Sequence, residues 1–334
     1  MDPVTHGLIG ATASQSFAAK DKLRTAAFTG FASAMIADLD VFIIDTSDPL
    51  LNLEMHRQFT HSFIFIPFGA LIAALLLWWF VKKHLTFKET YLFSLAAYAT
   101  AGIADTFTSY GVQLLWPFLD ERYAFNIISV FDPLFTLGIV VLTGLVFYKR
   151  NRMLSWMSWT WIILYLLFGS AQKNRAESIA NQIALHKNHL HQEVVVKPTI
   201  ANQLLWSIRF QTPNKIHAYG VRISPFSETV IYNGESAPLL DWEKEFATYK
   251  GTTLYKDIQR FSVLSDGYLI RHPKKDKVIG DGRYAMLPTS TSPLWGIKID
   301  TTRPGQHVDF KTYRDAGPEI RESYLDMLLG RKIK

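Results

Sequence analysis

The chain has 334 residues, 49% hydrophobic and 19% charged, with a net charge of +6 and no cysteine. The length allows two domains, and the absence of cysteine excludes disulfides and thiolate metal sites. The modest positive charge lies in short loops without a basic-aromatic pattern, which argues against nucleic acid as a partner.

The hydrophobic share is ordinary for a soluble protein; the placement of the apolar residues is not. The first segment, Pro3 to Ala19, has no charge, is rich in Gly, Ala and Ser, and carries His6 near its start. Small residues of this kind let helices pack closely, and no basic n-region marks the stretch as a signal peptide. Lys20, Asp21, Lys22 and Arg24 follow, and a second segment runs from about Thr25 into Asp38-Leu39-Asp40. The loop beyond holds Asp45, Asp48, Pro49 and then His56-Arg57-Gln58-Phe59-Thr60-His61-Ser62. A third segment, about Ser62 to Val81, ends at Lys82-Lys83-His84. The fourth begins near Thr90, and from there to Leu119 the one charge is Asp105. A loop then carries Ser109-Tyr110-Gly111 and Trp116-Pro117-Phe118. The fifth segment starts at Asp132-Pro133 and ends at Lys149-Arg150, and the sixth covers about Leu154 to Gly169. Windows of this length suit helices that cross a hydrocarbon core of ~30 Å, so the sequence predicts about six membrane helices.

Six spans would put the loops at 20–24, 82–89 and 149–153 on one side. These hold Lys20, Lys22, Arg24, Lys82, Lys83, Lys88, Lys149, Arg150 and Arg152, whereas the opposite short loops hold Arg57 and Arg122. Cytoplasmic loops are enriched in Lys and Arg, so the basic side is predicted cytoplasmic, with both termini on the other side. His6, Asp38, Asp40, His56, His61, Asp105 and Asp132 then all fall outside the cytoplasm, each at a span end or in the loop beside it.

From Lys173 the character changes to charged and mixed, which predicts a helical membrane domain over 1–172 and a soluble α+β domain over 173–334. Asn174 to Leu190 is a candidate helix with Ala176, Ile179, Ala180 and Ile183 at helical spacing. Glu193–Lys197, Leu204–Gln211, Ala218–Ile223, Thr229–Tyr232 and Trp295–Ile299 are candidate strands between turn residues. Pro318 to Leu329 closes the chain as a helix with Gly330 just past its end. His186, His189 and His191 read as a solvated helical surface.

Carboxylates and imidazoles beside a membrane are costly unless paired, solvated or metal-bound. A His and Asp set favours Zn, Mn or Fe. Asp38 and Asp40 lie about 200° apart on a helix; they converge if the helix ends there and the backbone extends. His56 and His61 are about 140° apart on a helix, so at least one sits in a turn, and the spacing is not the His-Glu-x-x-His of a zincin. Thr60 is a candidate cap for a helix starting near His61 or Ser62. Singly, each residue has a plainer reading. Asp38 and Asp40 could be solvated helix ends, His56, His61 and His6 interfacial histidines, and Asp132-Pro133 a helix start. Arg57 could meet lipid headgroups, and Tyr110, Trp116 and Phe118 could form an aromatic belt. Asp105 resists this, because it interrupts a long uncharged stretch. The one-sided clustering of the whole set favours a metal.

At these residues the sequence resembles the YdjM-like family of membrane-bound, predicted metal-dependent hydrolases. The matching pieces are Met1-Asp2-Pro3-Val4-Thr5-His6-Gly7 with Gly10, Asp38-Leu39-Asp40, the His56–Ser62 stretch, Asp105 with Ser109 through Phe118, and Asp132-Pro133-Leu134-Phe135-Thr136-Leu137. They cover roughly the first 170 residues; Asn202-Gln203-Leu204-Leu205-Trp206 and Asp281-Gly282-Arg283-Tyr284 are weaker likenesses to the longer members. The resemblance implies a polytopic protein of the bacterial inner membrane with metal-dependent hydrolase activity. One departure is Ala101, where relatives often carry His four residues before the aspartate, while His6 stands where many long relatives have Gln.

The expectation is a membrane-embedded hydrolase that uses one or two divalent ions (Zn, Mn or Fe) on a phosphoester or lipid-linked substrate. Metal ligands are expected from His6, Asp38, Asp40, His56, His61, Asp105 and Asp132, with Asp40 and His61 catalytic and Arg57 as a clamp for an anionic group. Membrane lipid is an expected partner, and none is identified for the C-terminal domain. Two other readings stay open: a non-catalytic, membrane-anchored interaction protein, and a divalent-ion transporter. The transporter fits less well, since transporter sites usually lie near the midplane.

Overall fold

The computed structural model describes residues 1–187, 193–224 and 227–333. Helix α1 (Pro3–Phe17) opens with Asp2, whose carboxylate accepts from Thr5 N, and with proline in its first turn. Helix α2 (Leu23–Ala37) tightens at its end into a 3₁₀ turn, Asp38–Phe42. A short helix α3 (Leu51–Met55) precedes α4 (Ile66–Val81) and α5 (Phe87–Thr106). A reciprocal capping box of Thr86 and Glu89 starts α5. Asp132 caps α6 (Pro133–Lys149), and α7 (Met153–Lys187) runs for 35 residues without a break.

Contacts divide the chain into two units, one of residues 1–43, 55–171 and 200–202 and the other of 44–54, 172–199 and 203–334. In the first, α1 is buried along nearly its whole length. Its small residues permit that: a side chain at Gly10 would strike the Gly30 carbonyl and Ala34 of α2. Hydroxyls tie the helices together, with Ser14 Oγ donating to Phe93 O at 2.9 Å and Ser33 Oγ to Ser94 Oγ at 2.9 Å. At one end of the bundle Ala18, Leu23, Val81, Leu85, Phe93 and Val146 cluster. The basic connections after α1, α4 and α6 adjoin that cluster.

Among the described residues, three helical stretches are long and apolar enough to cross a membrane: Leu23–Phe42, Phe63–Val81 and Met153–Lys187. This corrects the expectation of six. Helix α6 is apolar but has 17 residues, and the 15 residues of α1 rise about 22 Å, short of a ~30 Å core. Helix α5 has 20 residues but carries Lys88 and Glu89 in its first turn and is diluted by Ser, Thr, Ala and Gly. Freedom from charge is not apolarity: the small and hydroxyl residues that made these windows look membrane-spanning are what the bundle interior uses for close packing.

In the second unit, β1 (Glu193–Pro198), β2 (Leu205–Gln211), β3 (Lys215–Arg222) and β4 (Val230–Pro238) form an antiparallel sheet in sequence order. Val196, Trp206, Ile208, Phe210, Tyr219 and Val221 pack from this sheet on Ala176, Ala180, Ile183 and Ala184 of α7. Helices α8 (Trp242–Glu245) and α9 (Thr253–Leu264) lead into a second antiparallel sheet, β5 (Leu269–Arg271), β6 (Val278–Asp281), β7 (Trp295–Lys298) and β8 (Asp309–Thr312). Leu254, Ile258 and Phe261 of α9 form its core with Leu269, Ile279, Ile297 and Leu50, the last from the 44–54 segment. Helix α10 (Pro318–Leu329) ends at Gly330 in the left-handed conformation. The sixth apolar segment and the helix expected from Asn174 are one helix, because no proline or capping group separates them. His186 is exposed near its end, while His189 and His191 lie outside the described residues.

Candidate metal centre

Four of the residues singled out in the sequence meet in the first unit: one ligand atom from each of His6, Asp38, His61 and Asp105 lies within 4.8 Å of the others. His6 comes from the first turn of α1 and Asp105 from the last turn of α5. Asp38 follows α2, and His61 closes a 3₁₀ turn, Phe59–His61. His6 Nδ1 is 2.8 Å from Asp38 Oδ2 and its Nε2 is 3.1 Å from Asp105 Oδ1. His61 Nε2 lies 3.3 Å from Asp38 Oδ1 and 3.5 Å from Asp105 Oδ2. The Met1 nitrogen also contacts Asp105 Oδ1. Gly102 lets α5 approach this closely, since any side chain there would collide with the His61 carbonyl.

Asp38 and Asp40 do not converge. The 3₁₀ turn sends them to opposite sides of His61, with Asp38 at its Nε2 and Asp40 Oδ2 3.5 Å from its Nδ1. Asp40 is engaged elsewhere: Oδ1 is 2.8 Å from His56 Nδ1, and Oδ2 accepts from Arg57 N at 2.8 Å and Thr60 Oγ1 at 2.6 Å. Thr60 therefore does not cap a helix; α4 begins only at Ile66. Its oxygen also lies 2.9 Å from His61 Nδ1.

That contact sets the tautomer of His61. Thr60 has one hydroxyl proton and gives it to the Asp40 carboxylate, so toward His61 it can only accept. Nδ1 must then carry the ring proton, and neutral His61 presents a bare lone pair at Nε2. This nitrogen has no hydrogen-bond partner among the described residues, and the atoms it faces are carboxylate oxygens. Buried acceptors facing acceptors are costly without a cation between them. A hydrogen-bonded carboxylate behind an imidazole is the usual support for a metal-ligating histidine. The donor set of two nitrogens and two oxygens thus fits a divalent ion of the Zn, Mn or Fe type.

The other expected ligands lie outside this group of four. The His56 side chain is 34% exposed and rests on Asp40. Asp132 accepts from Phe135 N at 3.2 Å as the cap of α6, and the Tyr165 hydroxyl lies 2.9 Å from both of its oxygens. Arg57 is turned inward, with its side chain 6% exposed and Nε 2.7 Å from Asp105 Oδ2. Ala101 is buried among Ala37, Ala70 and Tyr98. The Tyr110 ring lies 5.9 Å from the Arg57 guanidinium and Trp116 packs 6.2 Å from Phe59, whereas Phe118 is exposed. Thr60, Gly102 and Tyr165 were not picked out as part of the site from the sequence; only the adjacency of Thr60 to His61 hinted at its part.

A further group, Asp48, Asp257 and His307, occurs in the second unit. Arg260 already pairs with its carboxylates, with Nη2 2.9 Å from Asp48 and Nη1 3.0 Å from Asp257, and reaches Glu54 through Nε at 2.7 Å. It is an ion-pair network that fastens the 44–54 segment to α9.

Comparison with known proteins places a match to the family model described as YdjM inner membrane protein over residues 1–176, slightly more than half of the chain. No curated protein and no solved structure matches the chain.

Proposed function

The chain belongs to the YdjM inner membrane protein family, and we propose that it works there as a metal-dependent hydrolase of an anionic, phosphoester or lipid-linked substrate. The observation that carries this reading is the bare Nε2 of His61 facing two buried carboxylates. His6, Asp38, His61 and Asp105 are the ligands. The divalent ion they would hold would supply Lewis-acid chemistry, polarising a substrate oxygen and lowering the pKa of water. Thr60 and Asp40 hold the His61 ring in its ligating tautomer. His56, supported at Nδ1 by Asp40 and partly exposed, is the candidate general acid–base group. Exposed Leu39, Val41, Phe42, Phe63 and Phe118 come from the same stretches as the ligands, which suits a substrate with a lipid tail.

The basic connections 20–24, 82–89 and 149–153 support a site facing away from the cytoplasm; with three spans in place of six, the expectation of both termini on that outer side no longer follows. These connections adjoin the Ala18–Leu23–Val81–Val146 cluster, whereas the ligands come from the other ends of α1, α2 and α5.

Elemental analysis of detergent-purified protein tests the reading. Wild type should carry Zn, Mn or Fe, and the Asp38→Ala, His61→Ala double variant should carry none while eluting as wild type in gel filtration. Bis-p-nitrophenyl phosphate and phospholipid headgroup esters are then the first substrates to assay. Wild type that stays metal-free after reconstitution would refute the hydrolase and leave a membrane-anchored interaction protein as the reading.

A further inference from the structure

We propose that Arg57 is a permanent second cation of this centre, so that the site takes one metal ion and not two. The proposal rests on the metal reading above and concerns how many ions that site holds.

Two-ion hydrolytic sites place their metals about 3.5–4 Å apart and share a carboxylate between them. Asp105 is the carboxylate placed to be shared: Oδ1 faces His6 Nε2 at 3.1 Å, and Oδ2 lies between His61 Nε2 at 3.5 Å and Arg57. The position beyond Oδ2 is taken by the Arg57 guanidinium, with Nε at 2.7 Å. Arginine does not give up its proton in proteins, so this cation is permanent. Among the described residues, the two other carboxylates expected as ligands are engaged elsewhere. Asp40 is engaged through both oxygens by His56, Arg57 N and Thr60, and Asp132 is committed to Tyr165 and the start of α6.

Charge supports the same count. Asp38, Asp40 and Asp105 bring three negative side-chain charges, all largely or fully buried. One divalent ion and the Arg57 guanidinium offset them, with the Met1 nitrogen also resting on Asp105 Oδ1, so a second divalent ion would leave at least two positive charges uncompensated in a poorly solvated site.

The backbone holds the guanidinium where it is. Arg57 has φ 59°, a left-handed conformation that residues other than glycine, asparagine and aspartate rarely adopt. Its N–H donates to Asp40 Oδ2 at 2.8 Å and its carbonyl accepts from Gln113 N at 3.0 Å. Such an outlier persists where its surroundings over-determine it, and outliers cluster at functional sites. With its side chain 6% exposed, Arg57 is a positioning residue that acts through Asp105.

The test uses the full chain in detergent, titrated with MnCl₂ and read by ion count and electron paramagnetic resonance. Wild type should bind one Mn²⁺ per chain with an uncoupled spectrum. Arg57→Asn, chosen because asparagine tolerates the left-handed backbone, should take up a second ion and show exchange coupling. Arg57→Lys, which keeps the charge, should stay at one. Two ions or a coupled spectrum in wild type would overturn the proposal while leaving the metal centre intact. So would an Arg57→Asn protein that still binds one ion. A wild type that binds none would remove the metal reading itself. The wild-type count stands even if the variants fail to fold.

Discussion

Replacing Thr60 by valine keeps the shape of the side chain and removes one oxygen. That oxygen makes two buried hydrogen bonds, 2.6 Å to Asp40 Oδ2 and 2.9 Å to His61 Nδ1. Asp40 retains its contacts to Arg57 N and His56, so the carboxylate is only partly deprived. The loss falls on His61, whose Nδ1–H loses its nearest acceptor and whose ring is no longer held in the tautomer with Nε2 bare. Two buried hydrogen bonds at a net 0.5–1.5 kcal/mol each give about 1–3 kcal/mol. Supporting groups behind a metal-bound histidine are worth roughly 10- to 100-fold in affinity, about 1.4–2.7 kcal/mol. Both routes lead to the same expectation: Thr60→Val binds Zn²⁺ about 10- to 100-fold more weakly than wild type, and Thr60→Ser binds close to wild type. Competition with a chromophoric chelator in detergent at constant pH measures it. If Thr60→Val held the ion as tightly as wild type, the hydroxyl would not set the tautomer and the argument for a cation at His61 would lose its basis.

Two further expectations follow from groups outside the centre. Asp132→Ala should leave the metal content unchanged, because Asp132 serves α6 and Tyr165. The lost cap and stranded hydroxyl should cost roughly 2–4 kcal/mol of stability, read as a lower melting temperature in detergent; a fall in metal content would return Asp132 to the ligand shell. In the second unit, Lys197 is 6% exposed. Its Nζ lies 3.0 Å from the centre of the Tyr284 ring and has no hydrogen-bond partner among the described residues. Burial holds the amine well below its ordinary value; Asp281 opposes this, and Arg283 and Arg209 reinforce it. The unfolded chain therefore binds more protons here than the folded one, and the contribution of Lys197 to stability rises with pH toward the ordinary lysine value of about 10.4. Lys197→Met should stabilise the protein at pH 7 by roughly 1–4 kcal/mol and flatten that pH dependence. Melting curves at pH 7 and at mildly alkaline pH check both, and a less stable variant with an unchanged slope would show the amine to be charged and paired.

The C-terminal strands illustrate what local pattern conveys. Alternation and turn residues indicated β1 to β4 and β7, and the closing helix was marked by Pro318 and Gly330. Strands β5, β6 and β8 have three or four residues each, too few for a period to be seen. Helix α9 did carry a signal, Leu254, Ile258 and Phe261 at helical spacing, between stretches without regular pattern. The number of membrane spans was misjudged for a different reason. Hydropathy and charge describe what a segment tolerates, whereas burial in the bundle depends on its neighbours, and α1 is covered because α2, α5 and α6 surround it.

For the site, the sequence by itself determined which residues could take part. Imidazoles and carboxylates at the ends of apolar segments are too costly to stand there without a partner or a purpose, and that cost is visible in one dimension. Which of them meet was decided only by the tertiary structure. The helix ends bring His6, Asp38, His61 and Asp105 within 4.8 Å of one another across nearly a hundred residues of chain. The same packing draws Asp132 to Tyr165 and turns Arg57 inward onto Asp105. Spacing along a chain constrains direction only within one element, so the sorting of seven candidates into those that meet and those engaged elsewhere had to wait for the helices to pack.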